Sequence, residues 1–334
     1  MAKISDIAID LGTSQVRIYM KGKGIVYNQP NILALNRDTR EIIAIGDKAR
    51  AMVGRTPSKI LTIRPLRDGT IADYELASYL LRSFVLQALE KKKMFTRPRA
   101  ILCVPTAVNE MEKRSLISTM FDAGMRRTQL MNRSIAAAIG AGLPIEEGTG
   151  TMLVDISAGV TDIAVLSYGK VVLADTIPVG GDRMDEAIIR HFRRKYNLLI
   201  GEHTAEEIKK QCGSAIFTDK PSPMEIYGRN LISGLPKAMT INGTDATEAL
   251  AEPLQDLIEG IHSTLEHTPA ELASDIFDYG IFLSGGGANL ANLGEAISKA
   301  LNVQCIVSEN PECDVVMGCG RALENMHDLG RFLQ

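Results

Sequence analysis

Three short glycine-bearing segments in this 334-residue chain carry residue types that hold phosphorylated ligands. The first is Asp10-Leu11-Gly12-Thr13-Ser14, a hairpin-type turn whose glycine and hydroxyl residues can aim backbone N–H groups at phosphate oxygens. The second, Asp155-Ile156-Ser157-Ala158-Gly159-Val160-Thr161-Asp162, has the same character. Two such turns facing one another would clasp the β- and γ-phosphates of a nucleotide from two sides. Asp10 and Asp155, each ending an apolar run, would then face one Mg²⁺, a cation that takes a few carboxylates together with phosphate oxygens and water. In the third, Ser284-Gly285-Gly286-Gly287-Ala288, triple glycine lets backbone approach a flat ligand, and the helix N-terminus that follows favours anionic groups. Each segment alone is commonly no more than a turn; all three in this order point to a bound nucleotide.

These turns need strands and helices to hold them. Ile7 to Ile9 reads as a short strand, and Val16, Ile18 and Met20 alternate with polar residues as a returning one. Leu76, Leu80, Phe84 and Leu89 recur at about one helical turn and predict a helix over Glu75 to Lys93. Ala100 to Val104 reads as a buried strand, with helices over Glu110 to Ala123 and Ile135 to Leu143 around a strand at Leu130-Met131. The pattern then restarts. Met152-Leu153-Val154-Asp155 repeats Ile7-Ala8-Ile9-Asp10, and each is followed by a glycine turn, an alternating strand and a Gly-Lys turn, at Gly22-Lys23 and Gly169-Lys170. A repeat of this kind means two copies of one supersecondary unit. Further along, helices are predicted at about 182–196 and 204–212, irregular and strand-like residues at 224–241, and a long helix from Thr244 to Glu266. Strands then follow at Ile281 to Leu283 and Gln304 to Val307, with helices at Leu290 to Leu301 and near Val315 to Met326. Strands alternating with helices make both halves α/β. The boundaries that follow are residues 1–150, with a small inserted subdomain at about 30–73, and 151–334, with an inserted subdomain at about 181–245 and a last helix packing back on the first half.

Length suits two cores of ordinary size. A net charge of −3 offers no basic field for nucleic acid. The five cysteines form no C-x-x-C pair and read as small buried apolar residues in a reducing cytosol. No apolar run approaches the roughly 18 residues of a membrane-spanning helix, and residues 1–6 lack the apolar core of a signal peptide; the expected location is the cytoplasm. His191, His203, His262, His267 and His327 show no metal-ligand spacing, and Arg190, Arg193, Arg194 and Lys195 read as a solvated helix face.

The chain resembles the MreB-like bacterial actins, the rod-shape-determining family within the actin/DnaK/hexokinase superfamily. The residues that carry the resemblance run nearly end to end. They include Asp10-Leu11-Gly12-Thr13, Lys21-Gly22-Lys23-Gly24, Gly54-Arg55-Thr56-Pro57, Ile63-Arg64-Pro65-Leu66, and Ala136-Ala137-Ala138-Ile139-Gly140-Ala141-Gly142. In the second half they include Leu198-Leu199-Ile200-Gly201-Glu202, Ser233-Gly234-Leu235-Pro236, Gly285-Gly286-Gly287-Ala288 and Glu309-Asn310-Pro311. The resemblance implies an actin-like fold, two duplicated ribonuclease-H-like domains with smaller inserted subdomains around a nucleotide cleft. It implies ATP or ADP with Mg²⁺, and self-assembly into double antiparallel filaments. It places those filaments at the inner face of the cell membrane, working with cell-wall elongation proteins. By motif match, Gly12, Thr13, Ser14 and Gly159 would hold phosphates. Glu206 and Lys209 would lie near the ribose and adenine, and Gly285, Gly286 and Gly287 under the nucleotide. Asp10, Asp155 and Thr161 would serve the chemistry, the two aspartates through Mg²⁺, partly by way of water.

The chain departs from the family pattern at Asn132-Arg133-Ser134, where a Glu-Glu-Pro is usual. Arg133 stands where the family places the carboxylate that orients the attacking water. A guanidinium cannot accept that proton and repels a metal; losing a positioned base costs about 10²–10⁴-fold in rate. The second turn also has Ser157 and Ala158 for glycines and Val160 for a threonine. Two readings stand: hydrolysis is slow or absent and the protein switches by binding, or neighbours such as Thr161 compensate. Arg133 is also placed to touch the γ-phosphate. Lys91-Lys92-Lys93-Met94-Phe95-Thr96-Arg97-Pro98-Arg99 sets Met94 and Phe95 between basic clusters. The family uses an apolar pair in the matching loop for membrane contact, and basic flanks add about 1 kcal/mol each at an anionic surface. The alternative is a helix end packed on its own domain. Two other functions share this superfold. A small-molecule kinase would need an acidic base poised at a sugar hydroxyl, and a chaperone ATPase would need a peptide-binding domain; no such signature is present.

Overall fold

The computed structural model describes residues 6–89, 98–104, 108–217 and 223–334. The predicted membrane pair Met94 and Phe95, with Lys91, Lys92, Lys93 and Arg97, lies outside the described residues. The chain forms two compact units. One comprises Met1–Gly148, Leu166–Val171 and Cys313–Gln334; the other comprises Thr149–Val165 and Val172–Glu312.

The first unit is built on β1 (Ile7–Leu11), which turns at Gly12 into antiparallel β2 (Gln15–Met20); β3 (Gly24–Pro30) pairs next to β2. A small sheet, β4 (Leu33–Asn36), β5 (Ile42–Ile45) and β6 (Ile60–Ile63), carries the short helix α1 (Asp47–Arg50) on its own apolar cluster of Ile32, Ala34 and Ala49. The hairpin β7 (Leu66–Arg67) and β8 (Thr70–Ile71) leads to α2 (Tyr74–Ala88), where the Asp73 side chain caps by accepting from the Leu76 N–H. The buried face of α2, with Leu76, Leu80 and Phe84, is the one its periodicity predicts. Next come β9 (Arg99–Val104), α3 (Glu110–Asp122) behind an Asn109/Glu112 capping box, β10 (Arg127–Asn132) and α4 (Arg133–Ala141). Strands β9 and β10 run parallel to β1, and the sheet order is β10-β9-β1-β2-β3. Ile7, Ile9, Ile18, Leu80, Phe84, Leu102 and Met120 form the centre of its core.

The second unit starts with β11 (Thr151–Ile156), β12 (Thr161–Ser167) and β13 (Lys170–Ile177), followed by α5 (Gly181–Tyr196), β14 (Leu198–Leu199) and α6 (Glu202–Cys212). The stretch at 224–241, expected to hold irregular and strand-like residues, is a regular antiparallel hairpin, β15 (Met224–Asn230) and β16 (Pro236–Ile241). In β15 exposed residues alternate with less exposed ones, whereas β16 is exposed over Pro236 to Ala238 and buries Ile241. Then come α7 (Gly243–Glu266), α8 (Ala270–Tyr279), β17 (Ile281–Ser284), α9 (Leu293–Leu301) and β18 (Cys305–Val307). The sequence reading has no helix at α8, a ten-residue element with Ile276 as its buried residue. The main sheet, β13-β12-β11-β17-β18, repeats the strand order of the first unit, so the repeat seen in sequence is a repeat of architecture.

The chain then closes on the first unit with α10 (Asp314–Glu324) and α11 (Met326–Leu329). Helix α10 lies on α4 at backbone contact. A Cβ added at Gly140 would sit 2.5 Å from the Asp314 carbonyl carbon, and one at Gly318 would sit 2.6 Å from that of Ala136. Arg321 donates to the Ile139 carbonyl and Lys21 to that of Leu323. Cys319 on α10 is buried against Cys103 on β9, and burial pushes the Cys103 thiol well above its usual value. Among the described residues, no helix is long and apolar enough to cross a membrane.

Candidate functional site

The first turn is held from inside its own unit. Gly12 N–H donates to the Gln15 carbonyl at 3.0 Å, and a Cβ at Gly12 would meet that oxygen at 2.8 Å, so glycine is required by the tightness of the turn. Asn31 clasps the turn: its backbone N–H donates to the Ser14 carbonyl and its side-chain Nδ2 to the Gly12 carbonyl, both at 2.8 Å. No sequence signal marks Asn31, which follows Pro30 and reads as an ordinary turn residue; tertiary burial makes it a clamp. Thr13 is buried within this turn, and Ser14 is half-buried.

Asp10 is 2% exposed and already engaged. Arg133 Nη1 donates to its Oδ1 at 2.9 Å, and Arg17 Nη1 stands 3.9 Å from its Oδ2. Cross-strand register places Arg17 opposite Asp10, and Arg133 reaches it from the first residue of α4. Asn132 caps α4 through Oδ1, which accepts from Ser134 and Ile135, so the base of the Arg133 side chain is fixed. A divalent cation at Asp10 would meet two guanidinium groups, a setting that does not suit Mg²⁺. The expectation of two aspartates sharing a metal therefore meets an obstacle on the first turn.

The second turn is built similarly but buttressed by a helix. Ser157 N–H donates to the Val160 carbonyl; the Ser157 and Ala158 carbonyls accept from Gly181 and Asp182 at the start of α5. Gly180 admits this contact, since a Cβ there would lie 2.5 Å from the Ala158 oxygen. Gly159 is buried. Thr161, assigned to chemistry by resemblance, is fully buried and its hydroxyl donates to the Val179 carbonyl at 2.7 Å. Asp155 is fully buried at the end of β11, in register with Ser284 of β17.

That register brings the third turn against the second within one unit. Gly285, at φ 81°, donates to the Pro311 carbonyl at 2.8 Å and presses on the Asp155 carboxylate and the Ile156 carbonyl. Gly287 presses on the Ile156 side chain. Two of the three glycines are thus required by the chain's own packing. Gly286 is exposed, and a Cβ there would find nothing nearer than Glu312 Cβ at 4.0 Å.

Glu206 and Lys209 lie on one face of α6. Lys209 Nζ donates to the Gly181 carbonyl at 2.7 Å and pairs with Asp185 at 2.8 Å; Glu206 pairs with Lys210. Burial pushes the Asp185 carboxyl up to about 6, against the opposing pull of Lys209.

The predicted solvated face of α5 is in part a contact with α7. Lys195 Nζ bonds Asp245 at 3.0 Å and Glu248 at 2.6 Å, and Arg190 reaches Glu252 at 3.5 Å. This also gathers His191, Asp245 and Glu248 so that their ligand atoms lie within 4.8 Å, a metal-like grouping that histidine spacing alone does not reveal. The Lys195 ammonium already bonds both carboxylates of this group, Asp245 and Glu248.

Comparison with known proteins agrees with this fold. MreB 5 of Spiroplasma citri bound to AMPPNP superposes with a TM-score of 0.91 at 33% identity, over 98% of each chain. Its ADP-bound form matches with the same score and identity, over 98% of this chain and 99% of that one. The MamK double helical filament subunit superposes with a TM-score of 0.79 at 21% identity, over 96% of this chain and 99% of that one. The fold is actin-like, as the sequence implies. The cell shape-determining protein MreB of Escherichia coli (strain K12) is 43% identical over 329 residues, 97% of this chain and 95% of that protein. Residues 4–331 match the MreB/Mbl protein family, and the chain belongs to it.

Proposed function

We propose that this chain is a nucleotide-binding cytoskeletal protein that assembles into actin-like filaments and helps set cell shape. The observation that carries the reading is the duplicated Asp-ended glycine turn in a chain that matches the MreB/Mbl family almost end to end. Relatives named for cell-shape determination, a structure holding AMPPNP and ADP in turn, and a filament of the same fold support it. ATP or ADP engages Gly12, Thr13 and Ser14 on one turn and Gly159 on the other, with Gly285 to Gly287 under the nucleotide and Glu206 and Lys209 toward ribose and adenine. The filament works at the inner face of the membrane, with Met94 and Phe95 as contact residues, alongside cell-wall elongation proteins.

Turnover is slow in this reading, because Arg133 replaces the water-orienting carboxylate and the Thr161 hydroxyl is committed to a backbone carbonyl. Sedimentation with ATP, ADP and AMPPNP, run beside phosphate release, tests both parts. Pelleting that depends on triphosphate, with little phosphate released, is the expected result. Protein that stays in the supernatant under every nucleotide refutes the filament. Release equal to that of an MreB carrying the usual glutamate, and no gain in Arg133→Glu, refutes slow turnover.

A further inference from the structure

We propose that His191, Asp245 and Glu248 form a binding site for a divalent transition-metal ion of the zinc class, which enters by exchanging with the Lys195 ammonium and ties α5 to α7. The inference is independent of the nucleotide reading. His191 comes from α5, and Asp245 and Glu248, three residues apart, come from one face of α7. The three ligand atoms lie within 4.8 Å of one another, with His191 Nε2 4.0 Å from Asp245 Oδ1 and 3.8 Å from Glu248 Oε2. One imidazole with two carboxylates is a ligand set for zinc and its neighbours, whereas Mg²⁺ and Ca²⁺ take oxygen alone. His191 Nε2 is buried and makes no hydrogen bond to any described residue. Burial, with the nearby Lys195 charge, pushes the imidazole below its usual value, so it is neutral at neutral pH. A neutral ring there either offers a lone pair to two carboxylates or holds an N–H too far from them to bond. A cation among the three satisfies them all.

The ligands are positioned from several sides. The imidazole packs edge-on against Phe192 and Tyr196, with ring centroids at 5.6 and 6.4 Å. The Asn242 side chain accepts from the Asp245 N–H at the start of α7, and the Tyr196 hydroxyl donates to the Asp245 carboxylate. Lys195 and Glu248 are the adjustable members, each with a side chain 40% exposed. The ammonium can therefore leave both carboxylates for water on its own flexible stem. A divalent ion brings twice its charge to the same two groups and adds a bond to His191. In a tetrahedral site with bonds of about 2.0–2.2 Å, ligand atoms stand about 3.3–3.6 Å apart, so those around His191 close by about half an ångström. The ion tethers the helix whose first residues, Gly181 and Asp182, support the second turn.

The test titrates the full chain, without nucleotide, with ZnSO₄ in competition with a chromogenic zinc chelator, for wild type, His191→Phe and Lys195→Met. His191→Phe keeps an aromatic ring, Lys195→Met keeps an apolar stem, and circular dichroism in zinc-free buffer shows that each variant is folded. Wild type is expected to bind one Zn²⁺ per chain, His191→Phe to bind it at least about tenfold more weakly, and Lys195→Met at least about threefold more tightly. If His191→Phe does not fold, Glu248→Gln takes its place with the same tenfold loss expected. A wild type that binds no Zn²⁺ overturns the proposal whatever the lysine variant does. A smaller loss in the ligand variant, as cysteine thiols elsewhere in the chain would give, overturns it. So does an affinity that Lys195→Met raises by less than about threefold or lowers.

Discussion

The contact between α4 and α10 should be among the least tolerant places in the protein. Its two glycines work reciprocally: Gly140 faces the carbonyl of Asp314, and Gly318 faces that of Ala136, each pair one helical turn from the other. An alanine methyl at position 318 would stand 2.6 Å from the Ala136 carbonyl carbon and 3.0 Å from its Cα, with the oxygen closer still. Ordinary contact between such atoms lies at about 3.5 Å, so the helices must part by roughly 1 Å, enough to forfeit a quarter to a half of the dispersion well of each contact across the seam. Helix α10 buries Val315, Val316, Cys319, Ala322 and Leu323, so the loss is shared by many contacts. We expect Gly318→Ala to cost about 3 kcal/mol, at the upper end of overpacking. For a unit of this size that lowers Tm by about 6–12 °C, read by circular dichroism. Gly140→Ala should match it. The double variant should cost clearly less than the two together, because helices already separated by one methyl have room for the other. A Gly318→Ala protein that melts within about 2 °C of wild type refutes the reasoning.

Three further outcomes follow from the site. Asn31→Ala strands the part-buried Gly12 carbonyl, costing about 1 kcal/mol and weakening nucleotide affinity together; unchanged melting and unchanged calorimetric affinity would refute the clamp. Gly286→Ala should leave Tm unchanged or slightly raised while weakening nucleotide binding, whereas Gly285→Ala and Gly287→Ala should lower Tm through their contacts with Asp155 and Ile156; equal melting of all three would overturn this division. Asp185 has a carboxyl raised from 3.8 to about 6, so its contribution to stability is fully present below its unfolded value and is lost as pH rises through about 6. Wild type should therefore lose stability relative to Asp185→Asn between about pH 4 and 6, by an amount of the order of 2 kcal/mol, and a flat difference in Tm across that range would contradict it.

Much of this protein is written locally. The apolar run ending in Asp10, its glycine turn and the returning alternation at Val16, Ile18 and Met20 specify a hairpin through contacts a few residues apart, and the same cause produces the copy at Asp155. Helix α2 is legible for the same reason, since Leu76, Leu80 and Phe84 share one face and Asp73 caps its start. Where local causes are weak, reading fails. Helix α8 buries only Ile276, and β16 is exposed over Pro236 to Ala238, so the apolar faces that would mark them are small.

The site divides along the same line. Sequence alone supplies the residue types of the three turns, the family, and the fact that an arginine stands where a carboxylate is usual. Tertiary structure alone decides that Arg133 lands on Asp10, 123 residues away, and that Asn31 closes the turn beside it. It alone shows that Gly285 and Gly287 answer to Asp155 and Ile156 more than to a ligand, and that His191 meets Asp245 and Glu248 around a lysine. The physical reason is reach: turns, caps and periodicity act over a few residues, whereas charge pairing and backbone contact depend on which distant segments the core brings within a few ångströms.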